Sequence, residues 1–217
     1  MKKVILLLFL NLFSLCFVFT MAEKSIVSDV NVWSGDTITF GHFEQDDSED
    51  DGKEDIEWIV LYSDKDKHTK YLISRYLLSV RPFCLTDKGV SGYKNCYLRT
   101  WLNDDFLNDA FDSKEISMLL EIGDYNDKVT ILDVWGAEFY LGCLDSMFKN
   151  PTLTPYAIHE ARDKYLYVNK KGECDWWLST QTKETENVYI VSRGQILDSG
   201  GYVYNICGVR PVIKIQM

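Results

Sequence analysis

The feature that most constrains the fold is a pair of adjacent tryptophans near the end of the chain. Trp176 and Trp177 stand between Asp175 and Leu178. If this segment is a strand, the alternation of side chains sends the two rings to opposite faces of a sheet. One ring can then fill a core while the other faces a surface or a groove. The closing stretch 208–213, Gly-Val-Arg-Pro-Val-Ile, predicts a final strand that holds the C-terminus in the sheet.

Residues 1–22 have the pattern of a secretory signal peptide. Lys2 and Lys3 precede a long apolar run, and the small residues around Ala22 predict cleavage before Glu23. We therefore expect a secreted or extracytoplasmic protein, in the periplasm or at the cell surface, with no membrane span after cleavage. The alternative is an uncleaved membrane anchor, because an apolar run of this length nearly spans a bilayer.

The charge of the chain limits its partners. The formal net charge is −10, and it is more negative still without Lys2 and Lys3. An acidic surface repels phosphate backbones, so nucleic acid is not an expected partner, and neither is an anionic membrane surface. The length that remains after residue 22 is sufficient for one domain with its own core.

In an exported chain, cysteines can form disulfides. Cys16 lies in the predicted signal peptide, which leaves an odd number of thiols. Cys84 and Cys96 flank a turn-rich stretch and form the first predicted pair, and Cys174 with Cys207 is the second. The alternative is that all of them are reduced, small apolar core residues. No pair has C-x-x-C spacing, so we predict neither a metal site nor a cofactor here.

The order of strand and helix patterns predicts an α+β fold. We expect a lead-in over 23–35 and one domain over 36–217, with helical patterns in its middle third. Asp112 and Glu115 form a predicted capping box, and Thr154-Pro155 is a predicted helix start. The predicted strands are 36–43, 56–62, 70–75, 128–132, 175–178, 187–192, 195–197 and 209–215. We expect an antiparallel sheet in which the N- and C-terminal strands pair.

Motifs for catalysis or for metal binding are absent from the sequence. In the acidic loop 45–55, Asp47, Glu49 and Asp51 match the first half of an EF-hand, but Trp58 occupies the position of the bidentate glutamate. The histidines are scattered and none adjoins a nucleophile motif. We therefore predict no catalytic residue, no metal and no cofactor.

Two charged residues lie among apolar neighbours in predicted strands. Glu57 shares a strand face with Ile59 and Leu61, and Arg210 lies within the closing strand. A buried charge needs a partner or a shifted pKa. We therefore predict a buried structural pair between Glu57 and Arg210.

Aromatic residues are dense in the last third and indicate a binding surface. Tyr and Trp combine a large contact area with a polar tip, which suits sugars and protein partners. The predicted ligand-binding residues are Trp176, Asp175, Tyr202 and Tyr204. Ordinary core packing is the alternative for each of these aromatic residues.

An ordered set of short motifs resembles a bacterial family of exported proteins known only as domain of unknown function 6273. The motifs are Ile-Thr-Phe-Gly at 38–41, Ile-Glu-Trp at 56–58, Leu-Arg-x-Trp-Leu-Asn at 98–103, Asp-x-x-Glu at 112–115, Asp-Trp-Trp-Leu at 175–178 and Gly-Val-Arg-Pro at 208–211. The resemblance covers about residues 36–215. It implies a C-type-lectin-like architecture, similar to that of formylglycine-generating enzymes, in which the terminal strands pair. In the family the tryptophan pair is usually followed by Leu-Arg-Ser, whereas Ser179 stands here at the arginine position.

The chemistry of these similar folds does not transfer to this sequence. Copper-dependent formylglycine formation needs two neighbouring reactive cysteines, and no other cysteine lies near Cys207 in sequence. The calcium-binding tripeptides of classical lectins are also missing. We therefore expect a non-enzymatic binding domain for an unknown glycan, peptide or protein ligand. The alternatives are an extracytoplasmic enzyme with an unrecognised acid/base site and a structural protein of the cell envelope.

Overall fold

Two five-stranded β-sheets organise the chain in a computed structural model. The structure describes residues 36–48, 50–85, 92–143, 146–184 and 186–217. The predicted signal peptide and lead-in lie outside these residues. The strands are β1 (Thr37–Phe43), β2 (Glu54–Asp64), β3 (Thr69–Ser74), β4 (Ser79–Pro82), β5 (Val129–Thr130), β6 (Trp176–Gln181), β7 (Asn187–Ser192), β8 (Gln195–Tyr202), β9 (Ile206–Val209) and β10 (Val212–Gln216).

The first sheet has the order β1-β2-β3-β10-β5, and all of its pairs are antiparallel. β1, β2 and β3 follow one another as an antiparallel meander. The predicted pairing of the terminal strands is wrong in detail. β1 lies at the edge of the sheet and pairs with β2, whereas β10 lies between β3 and β5. The two strands share a sheet without touching, because β2 and β3 separate them.

The second sheet has the order β4-β9-β6-β7-β8 and is mixed, since β6 and β9 run parallel. The predicted closing strand 209–215 is two strands, β9 and β10, which belong to different sheets. Pro211 separates them, and a proline cannot donate to a strand ladder. The chain thus passes from one sheet to the other at Arg210 and Pro211.

Short helices connect the sheets. They are α1 (Tyr97–Trp101), a π-helical stretch (Leu102–Phe106), α2 (Leu107–Ala110), α3 (Ser113–Met118), α4 (Val134–Cys143), α5 (Ser146–Lys149) and α6 (Pro155–Ala161). The capping box of Asp112 and Glu115 is confirmed at α3, and Thr154 caps α6 by accepting the Ala157 N–H. Across the described ranges, no helix has the length and apolar character needed to cross a membrane.

The two sheets and the helices enclose two apolar cores. The first core packs β2 and the α1 segment against Trp177, and the second packs α4 and α6 against Trp176. The prediction that the two tryptophans face opposite sides of a sheet is therefore confirmed. Neither ring lies open at the surface, because Trp176 is only 1 % exposed and Trp177 is fully buried.

Candidate functional site

Arg210 is fully buried where the chain passes between the sheets. Its Nε donates to the Ser74 carbonyl at 3.0 Å, and its Nη1 donates to the Phe148 carbonyl at 2.7 Å. The guanidinium carbon lies 4.3 Å from the ring centroid of Phe148 and 5.3 Å from that of Trp176. Burial lowers the pKa of this guanidinium to about 9. Arg210 therefore stays charged at neutral pH, held by carbonyls and aromatic faces.

The predicted pair between Glu57 and Arg210 is wrong. Glu57 lies at the surface, where its carboxylate is 3.2 Å from the Arg75 Nη1. Arg210 bonds to backbone carbonyls instead, and its Nη2 has no hydrogen-bond partner in the described part of the chain. The two side chains separate because Glu57 faces outward on β2, whereas Arg210 is enclosed by the second core.

Neither predicted disulfide is formed, since Cys84, Cys96, Cys174 and Cys207 are free thiols. Cys207 lies in the first core, whereas Cys174 packs against the second. Cys84 and Cys96 share the first core. The Cys96 sulfur accepts the Arg99 N–H at 3.3 Å and thereby caps α1. These cysteines therefore act as apolar core residues and as a helix cap.

A cavity of about 310 Å³ opens beside the start of β6 and the hairpin between β7 and β8. We call it the charged cavity. Its lining residues are Lys149, Asn150, Tyr167, Asn169, Glu173, Cys174, Asp175, Trp176, Arg193 and Gly194. Two of the predicted ligand-binding residues, Asp175 and Trp176, lie here. Trp176 supplies a buried part of the wall, and the exposed aromatic is Tyr167, at 75 %.

Some side chains of the charged cavity are hydrogen-bonded to other residues, and others have no ion-pair partner among the described residues. Asn169 donates to the Glu173 carboxylate at 2.6 Å and accepts the Glu173 N–H, so these two close a turn. Lys149 and Arg193 have no ion-pair partner within the described ranges. Two cations are therefore free to meet a ligand. Burial raises the pKa of the Cys174 thiol to about 12, so it remains protonated at neutral pH.

The other two predicted ligand-binding residues lie apart from this cavity. Tyr202 ends β8 and is 41 % exposed, and its ring centroid lies 5.0 Å from that of Tyr204. Tyr204 packs against the first core. The structure thus brings Asp175 and Trp176 together but places the tyrosine pair elsewhere. Sequence patterns did not indicate Lys149 or Tyr167, because neither belongs to a motif.

A second cavity, of about 380 Å³, lies against β3, β5 and α4. We call it the tyrosine cavity. It is lined by Tyr71, Tyr93, Tyr125 and Tyr140, by Asp124, Asp127 and Asp133, and by Ser179 among others. Ser179 is the position at which the family resemblance predicts arginine. A serine side chain at this wall position is much shorter than an arginine side chain.

Several acidic residues and His159 make local contacts outside these cavities. Glu44, Asp46 and Glu54 converge closely enough to hold a metal ion. The Glu54 carboxylate already accepts the N–H groups of Gln45 and Asp46, so the cluster also closes its own loop. His159 contacts Asp47 at 2.6 Å at the surface.

Two β-sheets connected by short helices make this an α+β protein. Residues 67–217 match the family described as Domain of unknown function (DUF6273), and the chain belongs to that family. The matched region begins in the turn between β2 and β3, so β1 and β2 lie outside it. No curated protein and no solved structure matches the chain.

Proposed function

We propose that this protein is a non-enzymatic binding domain that holds a carboxylate-bearing glycan or peptide in the charged cavity. The observation that carries the proposal is the pair of free cations, Lys149 and Arg193, at one cavity. The chain as a whole is acidic, with a net charge of −10. Lys149 and Arg193 offset Glu173 and Asp175 in the lining, so this cavity accepts an anionic group more readily than the rest of the acidic surface.

The cavity also suits the remainder of such a ligand. Tyr167 offers an exposed ring for a sugar face or for a peptide side chain. Asp175 adds an acceptor for a hydroxyl or an amine on the same wall. Arg210 lies behind Trp176 and contributes further positive charge to this side of the molecule. A ligand with one carboxylate and several donors therefore fits the charges best.

Binding is favoured over catalysis by the state of the groups at this cavity. Cys174 is the only cysteine among the described lining residues, and its raised pKa keeps it a thiol, which is a weak nucleophile. The lining residues that the structure describes include no histidine. An acid/base enzyme would place titratable groups opposite a reacting atom, and here the Glu173 carboxylate serves to close a turn.

The C-type-lectin-like architecture and the extracytoplasmic location belong to the same proposal. The architecture is supported by a sheet that contains both the first and the last described strand, with helices between them in the chain. The location is supported by the basic start and the apolar run of residues 1–22.

A paired ligand array tests the proposal. Each acidic sugar is printed beside its neutral parent, and each peptide with a free C-terminus is printed beside its amide. We expect the full chain to retain the acidic member of a pair about tenfold more strongly, since a free cation pair recognises the carboxylate. Equal retention of both members across the array would refute the proposal.

Matched variants connect that binding to the cavity. Arg193 has a φ of 50°, which asparagine tolerates, so Arg193→Asn removes the charge and preserves the turn. We expect Arg193→Asn combined with Lys149→Gln to abolish the preference for the acidic member. Lys65→Gln, in the exposed turn between β2 and β3, is the control for loss of a charge. An unchanged preference in the folded double variant would exclude the charged cavity.

A further inference from the structure

The tyrosine cavity has a wall rich in aromatic side chains. Tyr71, Tyr93, Tyr125 and Tyr140 come from different parts of the chain and line one space of about 380 Å³. The Tyr93 hydroxyl lies 2.9 Å from the Thr130 hydroxyl, which fixes its position. Burial raises the pKa of Tyr71, and the neighbouring Tyr140 and Asp133 raise it further. The Tyr71 hydroxyl is therefore neutral and lies near both groups.

The same wall carries three carboxylates, and Arg99 beside it already stacks on the Tyr125 ring, with its guanidinium carbon 5.0 Å from the ring centroid. Asp127 is neutralised from outside by Arg99, whose Nη2 lies 2.7 Å from its carboxylate. Asp133 accepts the Gly136 N–H at 2.6 Å and is held at the start of α4. The positive end of that helix offsets only part of its charge. Since the described lining residues include no lysine, arginine or histidine, Asp124 and Asp133 meet no basic side chain within the cavity.

We propose that the tyrosine cavity is a second binding site, which takes a small organic cation with an ammonium head group. Aromatic faces attract a cation through the ring quadrupole, and a nearby carboxylate supplies the opposite charge. The volume is within the range of small-ligand pockets. The described lining of the tyrosine cavity shares no residue with that of the charged cavity, so variants can test each site without changing the other.

Titration of the full chain with choline, followed by calorimetry, tests the site. The comparison ligand is 3,3-dimethylbutan-1-ol, which has the same shape without the charge. We expect saturable choline binding with a Kd on the order of 1 mM. The neutral compound should bind about tenfold more weakly. Equal affinity for the two would show that shape alone is recognised, and this result or an absence of choline binding would overturn the proposal.

A charge-neutral variant assigns the binding to the cavity. Asp133→Asn removes the carboxylate charge but retains an oxygen that caps α4, because asparagine is also a good N-cap residue. We expect choline to bind Asp133→Asn about fivefold more weakly. Asp163→Asn removes the same charge from an exposed position after α6 and should leave the affinity unchanged.

A second variant fills the cavity instead of neutralising it. Ser179 lies in the wall, so Ser179→Arg places a guanidinium beside the tyrosines and aspartates. We expect this internal cation to abolish choline binding while the melting temperature of the protein stays within a few degrees of the original value. Unchanged choline affinity in folded Ser179→Arg would place the ligand elsewhere and overturn the assignment.

Discussion

At the scale of single residues, Arg210 places the strongest demand on its surroundings, because it is a fully buried cation. A buried cation usually has a carboxylate partner, and here two carbonyls and two aromatic rings take that role. The planar guanidinium is suited to this position, because it can donate in two directions and stack at the same time. A lysine has the same charge and lacks this geometry.

We therefore expect Arg210→Lys to lower the free energy of unfolding by about 2–3 kcal/mol. Urea denaturation followed by circular dichroism measures the change. Arg75→Lys is the matched control, since its pair with Glu57 is at the surface and should change stability by less than about 1 kcal/mol. Equal effects at the two positions would contradict the role given to Arg210.

Cys174 makes stability depend on pH in a defined direction. Its thiol has a folded pKa of about 12, raised by burial, whereas an unfolded cysteine ionises near pH 8.5. As the pH rises, the thiol therefore ionises first in the unfolded chain. The folded state has its full stability relative to the unfolded state below about pH 8.5, and it loses stability between that pH and the folded pKa of about 12. Relative to Cys174→Ser, we expect the protein to lose about 1 kcal/mol per pH unit above roughly pH 9. Parallel stability curves for the two proteins would contradict the burial of this thiol.

At the scale of elements, β8 shows where a local pattern misleads. The glycines at 200 and 201 predict a turn, and the structure continues the strand through both of them. Gly200 has a φ of 63° at an irregularity in the pairing with β7. A side chain there would collide with the Val188 carbonyl, because a Cβ would lie 2.5 Å from its oxygen. The glycine permits a close approach of two backbones inside a strand.

We expect Gly200→Ala to destabilise the protein by about 2–3 kcal/mol, through strain in the left-handed region and this contact. Gly142→Ala is the comparison, because Gly142 lies in α4 with open space around its Cβ position. That change should be neutral or stabilising, by up to about 1 kcal/mol. Thermal unfolding of the two variants measures both effects, and the reverse order would contradict the described path of β8.

Local signals predicted the elements, and long-range contacts decided how they associate. The capping box at Asp112 and the helix start at Thr154 were readable because each involves neighbouring residues. The partner of Arg210 was not, since Ser74 and Phe148 are distant in sequence. The cavities could not be predicted from the sequence either, because their walls combine side chains from separate segments that no motif connects.

At the scale of the whole molecule, both sheets contribute to both cores. Trp176 and Trp177 are neighbours in β6, yet each belongs to a different core. A loss of packing in one core therefore disturbs a strand that the other core needs. The described residues should therefore unfold in one cooperative transition.

We expect Trp176→Ala and Trp177→Ala each to cost about 3–5 kcal/mol, the usual effect of deleting a buried tryptophan. In the original protein and in any variant that still folds, unfolding should be a single transition, with coincident curves from tryptophan fluorescence and far-ultraviolet circular dichroism. Two separate transitions would show that the cores are independent. Because Trp176→Ala is expected to lower stability this much, a loss of binding in that variant would not by itself identify a ligand contact.

The position of β10 determines when the first sheet can close. Val212 pairs with Ile73 on one side and with Thr130 on the other, although β10 follows every other described strand in chain order. Without this segment, no strand connects the β1–β3 meander to β5. Pairing strands that are distant in sequence requires closing a long loop, and this costs conformational entropy before any new contact stabilises the structure. Such pairings therefore slow folding. Completion of the sheet is therefore a late step of folding, and the chain keeps an unpaired edge at β3 until β10 docks against it.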